Sequence, residues 1–151
     1  MVEVCFSSMM ANQLKSKFQP NMSHIEGKFK LEKSENFDNF LKELGVNFVS
    51  RNLAKTASPT LIVTIDNDNY TIRTESIRSS EIKFKLNQEF EESRMDGSKC
   101  ISTVVKEGDN RLVQTQKGDK EVKIEREFGP DGVMVIASCN GVVSNRFYRR
   151  L

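Results

Sequence analysis

Much of this chain is patterned with a period of two. Val122-Lys123-Ile124-Glu125-Arg126-Glu127-Phe128 places Lys123, Glu125 and Glu127 on one face and Val122, Ile124, Arg126 and Phe128 on the other. Successive side chains of a β-strand point to opposite faces, so this run reads as a half-buried strand. Glu81-Ile82-Lys83-Phe84-Lys85-Leu86 alternates as strictly, and Gly27-Lys28-Phe29-Lys30-Leu31-Glu32-Lys33 has the same rhythm. Leu61 to Ile65 and Tyr70 to Glu75 flank Asp66-Asn67-Asp68-Asn69, a turn. Further turn clusters at Met95-Asp96-Gly97, Glu107-Gly108-Asp109-Asn110, Lys117-Gly118-Asp119-Lys120, Gly129-Pro130-Asp131-Gly132 and Asn140-Gly141 recur at roughly ten-residue spacing. Everything after Pro59 therefore reads as an antiparallel meander, closed into a barrel or folded as a sandwich.

One stretch has a different period. Phe37, Phe40, Leu41 and Leu44 fall at i, i+3, i+4 and i+7, which predicts a short helix with Asn36 as its N-cap and Gly45 as its stop. A second helix is predicted from about Val46 to Lys55, burying Val49 and Leu53 and ending before Pro59. The meander also carries a hint of a cavity. Leu112, Gln114 and Gln116 share one face, Arg111, Val113 and Thr115 the other, and Cys100 to Val105 mixes polar and apolar groups on both. A barrel of about eight or more strands can hold a small ligand in place of a dry core.

At 151 residues the chain reads as one domain without internal repeats. Its 23 basic and 21 acidic residues nearly cancel, and no basic tract suggests nucleic acid. Three unpaired-looking cysteines, Cys5, Cys100 and Cys139, suit a reducing compartment. A single histidine, His24, gives a zinc site or a histidine relay little to work with, and is expected to be solvated. The first twenty-two residues have no basic start and no continuous apolar run, so they are expected to be an extension and not a secretory signal. The compact domain is expected to occupy residues 23–151.

Two arginines stand out. Arg126 lies between Ile124 and Phe128 on the apolar face of its strand, where an unpaired charge is costly. A strand-end arginine paired with a surface glutamate is the alternative, and the apolar neighbours favour the interior. In Ser144-Asn145-Arg146-Phe147-Tyr148, Arg146 and Tyr148 share a face with Ser144, although Arg149 and Arg150 show the terminus to be basic in any case. An arginine fork fits a carboxylate, and a tyrosine hydroxyl adds a donor.

Three segments resemble the cytosolic fatty acid-binding proteins, the intracellular lipid-binding family of the calycin superfamily. Gly27, Phe29, Leu31, Asn36-Phe37-Asp38, Phe40-Leu41 and Leu44 are similar to that family's opening signature. Asn87-Gln88-Glu89-Phe90-Glu91-Glu92 resembles its central segment, and Arg126, Arg146 and Tyr148 match its carboxylate-binding group in type and spacing. The resemblance implies an all-β fold: a ten-stranded antiparallel barrel with a helix-turn-helix lid and a water-containing interior. The chain departs from the pattern in its extension and in Phe29, which stands where the family has tryptophan. Ile77 and Arg78 stand near the portal in place of a phenylalanine, and Arg51-Asn52 replaces the adjacent basic residues of some members.

The expected function is that of a cytoplasmic, monomeric carrier of long-chain fatty acids, with no cofactor, no metal and no chemical step. The expected site is Arg126, Arg146 and Tyr148 for the carboxylate, with Phe37, Phe40, Leu41 and Val135 lining pocket and lid. Retinoic acid is the alternative ligand, and two arginines argue for an acid over an alcohol. Lys42, Arg51, Lys55 and Arg78 read first as a solvated charged face; a basic collar making transient membrane contact, or apposing membranes, is the other reading. An enzyme acting on lipids would need a nucleophile motif around Ser144 or Tyr148, and none is present.

Overall fold

The computed structural model describes residues 24–151, and the extension assigned to residues 1–22, with Cys5, lies outside them. The strands are β1 (Gly27–Glu35), β2 (Thr60–Asp66), β3 (Asn69–Glu75), β4 (Ser80–Lys85), β5 (Phe90–Ser93), β6 (Lys99–Glu107), β7 (Arg111–Lys117), β8 (Val122–Phe128), β9 (Gly132–Cys139) and β10 (Val142–Arg150). Helices α1 (Phe37–Leu44) and α2 (Phe48–Thr56) are inserted between β1 and β2. Their order in one ten-stranded sheet is β4-β3-β2-β1-β10-β9-β8-β7-β6-β5. Chain neighbours pair, β1 closes on β10, and β4 and β5 are left without a ladder between them. The meander is therefore a barrel, not a sandwich. Across the β4–β5 gap the rings of Phe84 and Phe90 stack with centroids 5.4 Å apart, and Tyr70 of β3 stacks on Phe84 at the same distance.

The alternation read from the chain is the alternation of the wall. Phe29, Leu61, Val63, Ile72, Val104, Leu112, Phe128 and Val133 form the main core cluster. Each fully buried side chain of this kind contributes about 1.5–3 kcal/mol. A second cluster joins Phe40, Leu41 and Leu44 of α1 to Val46, Val122, Ala137 and Cys139. Phe29 is fully buried, edge-on to Phe128 at 5.7 Å.

Local details depart from the simple pattern. In β1, Leu31 opposes Tyr148 but Lys33 opposes Phe147, so Glu32 is the extra residue of a bulge. A bulge bends its strand, and β1 pairs with β2 only over Gly27–Lys30, leaving room for the helices. Gly45 ends α1 as expected, at φ 101° with its N–H on Leu41 and Lys42 oxygens. Asn36 is not a side-chain cap. It sits at φ 63°, a left-handed conformation that asparagine tolerates, and its Nδ2 donates to the Val143 carbonyl at 2.8 Å.

The second helix begins at Phe48, two residues later than expected, because Asn47 caps it by accepting from the Ser50 N–H at 2.8 Å. Val46 is buried ahead of it. The expectation that Val49 and Leu53 are buried is overturned: they are 66% and 37% exposed, and Ser50 is the buried residue. The cause is that α2 packs on α1 and spans the barrel mouth, where no sheet surface lies beneath it. His24 is half-buried and is held by its backbone. Its N–H donates to Asn110 at 3.2 Å, and its carbonyl accepts from Arg150, whose guanidinium also reaches Glu26 and Gly129 carbonyls at the end of the barrel away from the helices.

Gly132, at the start of β9, has no room for a side chain. An added Cβ would lie 2.1 Å from the Tyr148 carbonyl and 3.1 Å from the Arg149 Cα, both backbone atoms. Gly132→Ala is expected to destabilise the barrel by about 2–3 kcal/mol, the cost of overpacking a site that cannot relax. Urea unfolding checks this; an unchanged midpoint contradicts it.

Candidate functional site

The register across three strands assembles the site. Arg126 on β8 opposes Val135 on β9, and Val135 opposes Arg146 on β10. In the next row Phe128 opposes Val133, which opposes Tyr148. Directly opposed residues of antiparallel strands share a face, so both arginines and the tyrosine project from one patch of inner wall. Val135 separates the two arginines and packs, partly buried, against the main core.

The two guanidinium groups have different company. Arg126 donates to Gln114 Oε1 at 2.7 Å. The Gln114 amide in turn donates to Glu92 Oε2, which also accepts from the Ser102 hydroxyl. Arg146 is 8% exposed, and its Nε has no hydrogen-bond partner. Its Cζ lies 3.8 Å from the ring centroid of Phe37 on α1 and 5.6 Å from that of Tyr148. Among the described residues neither arginine has a carboxylate within 4.0 Å. Burial pushes both guanidinium groups below the ordinary arginine range; Glu92 and Tyr148 pull Arg126 back up, and Tyr148 does so for Arg146. They remain cations at physiological pH. Burial raises the Tyr148 phenol above its ordinary value against the pull of both arginines, so it is a neutral donor.

A cavity of about 420 Å³ opens at the mouth. It is bordered by Phe37, by Ser50, Leu53 and Ala54 of α2, by Ile77 and Arg78 of the β3–β4 turn, and by Arg146. Phe37 thus faces the cavity, whereas Phe40 and Leu41 pack under α1 against Val122, Ala137 and Cys139. The basic collar is partly spoken for: Asp38 pairs with Arg51 at 3.2 Å and Lys55 at 3.7 Å, tying α2 to α1.

Glu92, Ser102 and Arg94 join the candidate residues only through the fold. The signal was present in β5, where Phe90 and Glu92 share parity and the aromatic residue marks that parity as inward. Gln114 was visible as a polar group on a mixed face. Arg94 has a side chain 1% exposed but fully engaged, donating to the Gln116 side chain at 3.3 Å, the Gln116 carbonyl at 3.1 Å, Asp119 at 3.1 Å and the Lys120 carbonyl. It fastens the β5–β6 turn to the β7–β8 turn. Arg146 has no such set of partners.

The chain has two tyrosines and no tryptophan. Burial raises both phenols above 10.0, helped at Tyr70 by the Glu26 charge. The unfolded chain loses these protons first, so the stability they contribute is complete below pH 10.0 and is lost as pH rises through the folded values. A tyrosinate absorbance titration followed together with circular dichroism is expected to show both midpoints above 10.0. A midpoint at or below that value with the fold intact contradicts this.

Residues 26–147 match the lipocalin / cytosolic fatty-acid binding protein family. The chain is 63% identical over 130 residues to a fatty acid-binding protein of Tyrophagus putrescentiae, an alignment covering 85% of this chain and 99% of that one. Among solved structures it is similar to a fatty acid-binding protein from brain tissue of Drosophila melanogaster, at 42% identity and a TM-score of 0.81, covering 84% of this chain and 99% of that one. A Schistosoma mansoni fatty acid-binding protein in complex with arachidonic acid superposes with a TM-score of 0.83 at 36% identity, covering 86% and 98%. The ten-stranded barrel, its two-helix lid and the match over most of its length make this chain a member of the lipocalin / cytosolic fatty-acid binding protein family.

Proposed function

We propose that this chain carries long-chain fatty acids, or similar hydrophobic carboxylates, inside its barrel, with Arg146, Arg126 and Tyr148 holding the carboxylate. The observation that carries the reading is Arg146. This arginine, 8% exposed, with an unpartnered Nε and no ionic partner among the described residues, borders the cavity. Leaving such a group unmatched costs more than hydrogen bonding it, and a carboxylate returns that cost in charge-assisted bonds. Arg126 and the neutral Tyr148 hydroxyl stand on the same patch of wall and supply further donors. The names of the relatives, and the arachidonic acid in the Schistosoma structure, point to the same ligand class.

The tail supplies the bulk of the affinity, since each methylene withdrawn from water contributes about 0.8 kcal/mol. It would enter at the mouth, where Phe48, Val49, Ile77 and Met95 are exposed apolar groups and Arg78 adds a charge that suits an anionic bilayer. Cys100 and Cys139 are free and buried, which fits a reducing, cytoplasmic setting.

Oleate binding by calorimetry tests the reading. Arg146→Gln and Arg126→Gln are each expected to weaken oleate about 10- to 100-fold, the worth of a hydrogen bond to a charged group. Affinity for oleyl alcohol should be unchanged and the melting transition retained. Oleate affinity that is indifferent to both substitutions contradicts the assignment.

A further inference from the structure

The polar wall holds an acid as well as two bases. Glu92 on β5 faces the lumen from the side opposite β10, and its Oε2 accepts from the Gln114 amide and the Ser102 hydroxyl. Ser102 and Gln114 are fully buried, so these two donors cannot be exchanged for bulk water without moving the wall. Two donors from the wall thus converge on one oxygen of the Glu92 side chain. The other side-chain end of Gln114 accepts from Arg126 at 2.7 Å. A single amide thus relays between an internal anion and one of the internal cations, with no direct salt bridge.

The charges facing this part of the lumen can be counted. Arg126 and Arg146 contribute two positive charges and Glu92 one negative, leaving one positive charge (2 − 1 = 1). Arg94 does not enter the sum, because its guanidinium is paired with Asp119 at 3.1 Å and turned to two backbone carbonyls. The headgroup proposed above carries one negative charge, which brings the sum to zero.

We propose that Glu92 is a specificity residue that sets the charge of the ligand headgroup, so that the barrel selects a singly charged acid over a doubly charged one. The proposal rests on the carboxylate-binding reading of the arginines. Glu92 occupies Arg126 electrostatically through Gln114 and leaves Arg146, with its unpartnered Nε, as the principal receptor for the ligand anion. A dianionic headgroup would bring a second negative charge into an enclosed site that already has one, and like charges at close range in a protein oppose each other by a factor of about ten or more. Without Glu92 the same site would carry two uncompensated cations and would suit a dianion. The burial that lowers both arginines, and the opposing influence of Glu92 on Arg126, agree with this bookkeeping.

A size-matched charge series separates this role from packing. The probes are a long-chain alkylmalonate, its half-amide and its diamide, at a mildly alkaline pH where they carry two, one and no negative charges. On the unaltered protein the half-amide is expected to bind about tenfold tighter than the malonate; equal or reversed affinities overturn the proposal, and this comparison requires no variant. In Glu92→Gln, which keeps the shape and an acceptor, the malonate is expected to gain about tenfold relative to the half-amide while the diamide is unchanged. A Glu92→Gln variant that weakens all three probes by one common factor makes Glu92 a packing residue and overturns the assignment. The parent reading fails separately, if Arg146→Gln binds the half-amide as well as the unaltered protein does.

Discussion

A guanidinium cannot shed its proton to suit an apolar interior, so each one placed on the inner wall of a barrel obliges the rest of the wall to accommodate it. This chain places two there, one row apart from Tyr148 and separated from each other by the width of Val135. Much that is unusual about the lumen follows. Gln114, Ser102 and Glu92 are polar groups on faces that a dry core would fill with aliphatic side chains, and they are joined hand to hand with Arg126. Arg146 has instead the faces of two aromatic rings, Phe37 from the lid and Tyr148 from its own strand. A cation over an aromatic face is attracted by the ring quadrupole, though less than by a carboxylate. The wall thereby accommodates both cations, Arg126 through hydrogen bonds and Arg146 against aromatic faces.

The two helices over the mouth are held unevenly. Helix α1 is fixed: Phe40, Leu41 and Leu44 enter a core cluster, Lys120 donates to the Glu43 carbonyl, and Asn140 donates to the Glu43 side chain at 3.1 Å. Helix α2 is held chiefly by the Asp38 pairs to Arg51 and Lys55 and buries only Ser50. Few buried apolar contacts mean a low cost of local opening. Phe37 connects the mouth with the inner wall, since it borders the cavity and also covers Arg146.

How far the chain itself disclosed this depends on what kind of pattern carries the information. Period-two alternation in β8 put Arg126 on the apolar face, and the spacing Arg146–Tyr148 put those two together; both inferences need only neighbours along one strand. The i, i+3, i+4, i+7 stripe located α1 for the same reason. The Glu92–Gln114–Arg126 relay joins β5, β7 and β8 and depends on register across strands, which no single-strand pattern encodes. The exposure of Val49 and the bulge at Glu32 depend on what lies, or does not lie, beneath an element. Asn36 misleads because a residue type favoured at caps also tolerates positive φ and can tie a helix start to a distant strand.

The central claim is that the ligand carboxylate is bound, ionised, against the inner arginines. Carbon NMR of a fatty acid labelled at its carboxyl carbon, bound to the protein and titrated towards acid, addresses it directly. Cations within reach favour the ionised form and lower its pKa, so the bound resonance is expected to hold its carboxylate position below the pH at which exposed carboxyls protonate, roughly 4–5. A bound carboxyl that titrates as a free one does, or one already protonated at neutral pH, would contradict the account.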